Sequence, residues 1–271
     1  MKRAAKLFAS LAILLSVGLF VSCSSTKVEG NNQEHLVMAT LWLQNAAEYR
    51  ALCYQAFNLA SEKIESIAGK KNKEGRPQAV IVDVDETILN NGPFSAAMIL
   101  KNKSYGPEEW NKWVEQSSAE PIPGSVEFLQ LVDKNKMEIF YVSNRMENSL
   151  GPTYKNLVAV GFPVKKENMM FRAAGTSDSK MERRKLILDK YEVVMLVGDS
   201  MMDFTEAFEM KGVDASWELA DKIRSDFGNK YVVIPNPIYG PWESMIYNFE
   251  HGKKTEDKIE DRYNHLYPMT E

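Results

Sequence analysis

Histidine and cysteine are scarce here, with three of the first and two of the second among 271 residues. His35 falls in an N-terminal helical pattern, and His251 and His265 fall in a charged tail. None stands at the end of a candidate strand, so a zinc centre and a Ser–His–Asp triad both lack the imidazole they need. Two cysteines cannot build a disulfide framework. Cys53 lies among apolar helical positions and reads as a small core residue. The G-x-x-x-x-G-K-[ST] phosphate loop is missing, which excludes a P-loop nucleotidase. The net charge is only −4, without the clustered basic surface of a nucleic-acid binder. Internal repeats and low-complexity segments are also missing.

What is present begins with a targeting segment over residues 1–22. Lys2, Arg3 and Lys6 form a positive start, and Leu7 to Val21 is apolar but shorter than the ~20 residues of a spanning helix. Phe20-Val21-Ser22-Cys23 resembles a bacterial lipobox, which implies cleavage and lipidation at Cys23 and a place in the cell envelope, at the outer membrane. An ordinary secretory signal with an incidental cysteine is the alternative. Residues 23–33 are polar and read as a flexible tether.

From residue 34 to 76 the apolar residues recur at helical spacing, ending at Gly69 and a charged linker. The segment 77–250 then alternates strands with helices. Buried strands are expected at Ala79–Val82, Glu138–Val142, Met169–Phe171, Tyr191–Val197 and Tyr231–Ile234. The pattern predicts an α/β fold of Rossmann type, with a central, mainly parallel sheet flanked by helices. A smaller helical cap is expected around 92–120, where Pro107 opens a helix carrying Trp110 and Trp113 on one face. Residues 251–271 form the charged tail.

Right-handed crossovers bring the carboxyl ends of parallel strands to one edge, where open α/β sheets bind ligands. Asp83 and Asp85 follow the first strand at i, i+2, which places them on one face. Ser143 follows the second strand. Asp199 and Asp203 follow the fourth, and Lys180 begins the helix before it. So many carboxylates together require a cation, and an oxygen-only donor set suits Mg²⁺. A carboxylate nucleophile, a hard cation and an ammonium suit phosphoryl transfer through an acyl-phosphate. Asp83 would attack phosphorus, and Asp85 would move the proton to and from the leaving oxygen and water.

These motifs resemble those of the haloacid dehalogenase (HAD) superfamily: Asp83-Val84-Asp85-Glu86-Thr87, Ser143, Lys180, and Gly198-Asp199 through Asp203. With the lipobox, W-x-x-W-V, P-x-P-G, V-S-N-R, S-K-x-x-R-R and N-P-x-Y-G-x-W-E, the chain resembles class C acid phosphatases of the lipoprotein e family of surface 5′-nucleotidases. That resemblance implies Mg²⁺ held by Asp83, the Asp85 carbonyl and Asp199 with Asp203 in support, and phosphate held by Ser143, Asn144 and Lys180. It also implies a nucleotide-like phosphomonoester substrate, with Phe94, Trp110 and Tyr239 as the aromatics that stack on it. Asn90 and Ser200 depart from residues common in the family, outside the core catalytic positions. A ligand-binding lipoprotein with little turnover and a phosphotransferase of the same superfamily are the other functions this pattern admits. The partners expected are a small phosphomonoester and, through the anchor, a membrane. The sequence leaves monomer and homodimer open.

Overall fold

A computed structural model describes residues 31–70, 75–250 and 252–269. The targeting segment, Cys23 and most of the tether lie outside the described residues. Helix α1 (Val37–Asn45) and helix α2 (Ala47–Ile67) form the N-terminal part, joined at Ala46, whose ψ of 129° leaves the helical region. Strand β1 (Gln78–Val82) follows. The short β2 (Leu89–Asn90) then leads into α3 (Gly92–Leu100) and α4 (Pro107–Glu115). Strand β3 (Glu120–Pro121) returns antiparallel to β2 and so closes the helical insert at its base.

The chain continues through α5 (Ser125–Lys134), β4 (Glu138–Met146), α6 (Leu150–Ala159), β5 (Met169–Arg172) and α7 (Met181–Leu188). It ends with β6 (Glu192–Gly198), α8 (Val213–Lys222), β7 (Tyr231–Val233), α9 (Pro241–Ile246) and α10 (Thr255–Asn264). The tail thus carries a helix, tied back by Arg262, whose guanidinium donates to the Tyr247 hydroxyl at 2.9 Å.

The main sheet has five strands in the order β5-β4-β1-β6-β7, all parallel. This is the α/β architecture that the alternating pattern predicts. β1 is central because its run Ala79–Val82 offers apolar side chains to both faces and no charge. One face packs on α2 and α5, where Phe57 and Phe128 meet with ring centroids 5.5 Å apart. The other face, with Ile81, Phe140 and Leu196, is covered by residues of α7 and the β6–α8 loop, including Ile187 and Phe204. The neighbours of β1 are β4 on one side and β6 on the other, so the connections diverge there and leave a crevice at its carboxyl end.

Residues 31–33, the far end of the expected tether, are fixed rather than free. Asn31 Nδ2 donates to the Ile99 carbonyl at 2.8 Å, and Gln33 Nε2 donates to Ser104 Oγ at 3.1 Å. Both partners belong to the helical insert, Ile99 on α3 and Ser104 in the loop between α3 and α4. Among the described residues no helix is long and apolar enough to cross a membrane.

Candidate active site

β1 stops at Val82, so Asp83 and Asp85 stand just beyond the strand rather than within it. The Asp83 amide still donates to the Val197 carbonyl at 2.9 Å, which carries the strand geometry one residue further. Val84 points back into the core and is fully buried. Glu86 then takes a positive φ of 55° and the chain folds over, with Ile88 and Leu89 amides bonded to the Val84 carbonyl. This turn brings Thr87 under Asp83 and Asp199. Its hydroxyl lies 3.2 Å from Asp83 Oδ2 and 3.1 Å from Asp199 Oδ1.

Lys180 comes from the N-cap of α7 and is buried. Its Nζ donates to Asp83 Oδ1 and, at 2.6 Å, to Asp203 Oδ1. Asp203 also accepts from the Ser200 amide at 3.0 Å, which closes a capping box at the turn after β6. The close approach requires glycine at 198, because a β-carbon there would overlap the Asp203 side chain. Asn236, after β7, donates to Asp199 Oδ2 at 2.8 Å.

Burial dominates the electrostatics. It raises Asp83 well above the usual carboxylate range against the pull of Lys180, and the charges of Asp203 and Asp85 add to the rise. Burial raises Asp199 in the same way, with Asp203 and Asp83 contributing. Burial alone would lower the Lys180 ammonium, but Asp203 and Asp83 outweigh it and hold it above its ordinary value. Glu86 is also raised by burial and by Asp85, although Tyr239 and Asn91 donate hydrogen bonds to it. Oxygens of Asp83, Asp199 and Asp203 lie within 4.8 Å of one another. Three carboxylates against one ammonium leave negative charge in a buried place. The donor set is oxygen only, so these residues fit a hard divalent cation.

The acids open onto a cleft of about 530 Å³ that is also lined by Asn144, Ser200, Met210, Tyr239 and Phe249. The structure therefore brings Asp83, Asp85, Asn144, Lys180, Asp199, Asp203 and Tyr239 to one cavity. Ser143 is buried beside it, with its Oγ 3.4 Å from Asp85 Oδ2. Asn144 is held by Arg183, whose Nη2 donates to Asn144 Oδ1 at 2.6 Å. Tyr239 places its hydroxyl on Glu86, so its ring is anchored from below while part of it remains exposed. Phe94 and Trp110 sit apart from that wall. They pack with Tyr105 in the insert, with the Phe94 and Trp110 centroids 5.2 Å apart, and Phe94 is buried.

Several residues of this site carry no signal of their own in the sequence. Asn91 bridges Asp85 Oδ1 and the Trp113 indole at 2.9 and 2.7 Å. Arg145 is buried and ion-paired to Asp85 at 2.8 Å. Thr87, Asn91, Arg145, Arg183 and Asn236 all stand inside or next to the quoted motifs, so position within a motif was the one available clue.

The family model for the HAD superfamily, subfamily IIIB (acid phosphatase), matches residues 10–242. A crystal structure of the class C acid phosphatase from Bacillus anthracis with tungstate bound superposes with a TM-score of 0.84. It is 33% identical, and the match covers 89% of this chain and 100% of that one. Acid phosphatase 1 of Solanum lycopersicum is 26% identical over 164 residues, covering 59% of this chain and 57% of that protein. Vegetative storage protein 1 of Arabidopsis thaliana is 25% identical over 168 residues, covering 59% and 54%. The chain thus spans a little over half the length of these two plant proteins.

Proposed function

The chain belongs to the acid phosphatases of HAD subfamily IIIB, and on that premise we propose that it is a Mg²⁺-dependent phosphomonoesterase working through a phospho-aspartate. The observation that carries this reading is the convergence of Asp83, Lys180, Asp199 and Asp203 at the floor of one cleft, with Asp85 at its edge. Tungstate is a tetrahedral oxyanion of the same shape as phosphate, and its binding to the Bacillus anthracis relative supports the same kind of ligand here.

Asp83 attacks phosphorus, and the electron pair of the breaking P–O bond leaves with the ester oxygen. Asp85 delivers a proton to that oxygen. Asp85 then takes a proton from water as the water oxygen attacks phosphorus and the Asp83–phosphorus bond breaks. Lys180 holds a phosphoryl oxygen and stays charged because Asp203 lies beside it. Asp83, the Asp85 carbonyl, Asp199 and Asp203 would hold Mg²⁺, which when bound neutralises phosphoryl charge. Ser143 and Asn144 complete the phosphate side.

The leaving group would be a nucleoside or a similar aromatic group, because Tyr239 lines the cleft and Tyr105 and Trp110 pair in the insert over the buried Phe94. The lipobox-like Phe20 to Cys23 stretch supports a lipid anchor at Cys23 and an outer-membrane location in a bacterial envelope. The test is phosphate release from a nucleoside 5′-monophosphate by the protein lacking residues 1–22, with and without a chelator. Turnover that survives both chelation and Asp83→Asn would refute the mechanism. Mass spectrometry of the cell-expressed protein, before and after Cys23→Ala, tests the anchor: loss of the lipid mass is expected, and an unmodified Cys23 would refute it.

A further inference from the structure

We infer that Arg145 is a positioning residue that fixes the Asp85 carboxylate and assigns its two oxygens different tasks. This rests on the phosphatase reading above. Arg145 lies two residues past Ser143 on β4, and both side chains reach Asp85. Its guanidinium is buried, and each of its three nitrogens donates a hydrogen bond. Nε donates to Asp85 Oδ1 at 3.0 Å and to Oδ2 at 3.2 Å, and Nη2 donates to Oδ1 at 2.8 Å. Nη1 donates to Thr153 Oγ1 on α6 at 2.9 Å. The Trp110 ring of α4 covers the guanidinium, with its centroid 5.4 Å from Cζ.

The two oxygens of Asp85 are therefore unequal. Oδ1 receives Arg145 Nε, Arg145 Nη2 and, at 2.9 Å, Asn91 Nδ2. Those three donors leave it no direction for another partner. Oδ2 has only the longer contacts to Arg145 Nε and, at 3.4 Å, Ser143 Oγ. The Asp85 side chain keeps 17% of its surface exposed where Arg145 keeps 2%, and Asp85 lines the cleft. Oδ2 is the oxygen that gives its proton to the leaving oxygen and takes one from water. Arg145 holds Oδ1 and does not touch the reacting atoms. Asp85 sits past the end of β1, where its backbone keeps only an isolated bridge to Leu89 and no longer pairs with the sheet. Arg145 ties it instead to β4, α4 and α6 together.

A buried ion pair that merely stabilises the fold would show the same contacts, so the test must read proton delivery. An alkyl phosphate such as a nucleoside 5′-monophosphate needs its leaving oxygen protonated, whereas p-nitrophenyl phosphate has a leaving group stable as the anion. In Mg²⁺ buffer, Arg145→Lys is expected to lower kcat/KM for the nucleotide, which reports the step that releases the leaving oxygen, by about 100-fold. The aryl phosphate should lose less than about tenfold. Adding Arg145→Lys to Asp85→Asn should cost nothing further with the nucleotide, since there is no proton donor left to position. Thr153→Val removes one anchor without disturbing the ion pair, and should shift the two substrates in the same unequal way by a smaller factor. Equal losses on both substrates in both variants, or multiplicative losses in the double variant, overturn the inference. A wild-type protein inactive on both substrates overturns the phosphatase reading and this inference with it.

Discussion

Lys180→Met tests the charge balance of the site most directly. The ammonium is buried, its Nζ bonded to Asp83 and, at 2.6 Å, to Asp203. Methionine keeps much of the aliphatic stem and removes the charge. Breaking a buried ion pair by taking one partner away costs about 3–5 kcal/mol, because the other charge stays buried and unpaired. Here the carboxylates can escape that cost by protonation. Asp83 and Asp199 already have native carboxyls raised by burial, so the native state binds protons that the unfolded state releases. For a raised group the stabilising contribution is full below the unfolded value and is lost as pH rises through the native value. The deficit of the variant should therefore grow with pH, by up to about 1.4 kcal/mol per pH unit for each proton retained in the native state. Urea unfolding with a chelator present, followed by circular dichroism, should show a loss of about 3–5 kcal/mol near pH 8 and less than half of that near pH 5. A deficit independent of pH, or one that shrinks toward alkaline pH, would refute the reasoning.

Other outcomes follow from the same geometry. Asp83→Asn should abolish phosphate release while a phosphate analogue still protects the protein in a thermal melt; residual turnover within about tenfold of wild type would contradict a nucleophilic role. Gly198→Ala should cost about 1–3 kcal/mol from overpacking against Asp203 and should also weaken Mg²⁺ binding by calorimetry; wild-type stability and affinity together would show that Asp203 has room. Tyr239→Phe removes the hydroxyl from Glu86 and should lower stability by about 1–3 kcal/mol with KM nearly unchanged, whereas Tyr239→Ala should raise KM for aromatic substrates as well. In the wild-type protein, saturating Mg²⁺ at about 100 times its Kd should stabilise by about 2.7 kcal/mol. That gain should shrink as pH falls through the native values of Asp83 and Asp199, and thermal melts at two pH values check the sign.

The periodicity of side chains determined the architecture. Uncharged apolar runs such as Ala79–Val82 and Val193–Val197 read as strands packed on both faces, and helical stretches between them require parallel strands. The acids at the strand ends were legible for the same reason, since alternation alone sends Asp83 and Asp85 one way and Val84 the other. Choice of partner was not legible. Lys180 stands 97 residues from Asp83 and 23 from Asp203, yet one ammonium meets both. Arg145 could have been a solvated arginine next to a polar strand end; it is buried because Trp110, Thr153 and Asp85 arrive from separate elements. The placement of the aromatics was likewise decided by packing, which put Tyr239 on the cleft wall and Phe94 beneath Tyr105 and Trp110. Local chemistry and period act over a few residues and can be read along the chain. Burial, with the pKa shifts and ion pairs that come from it, exists only once distant segments have closed on one another.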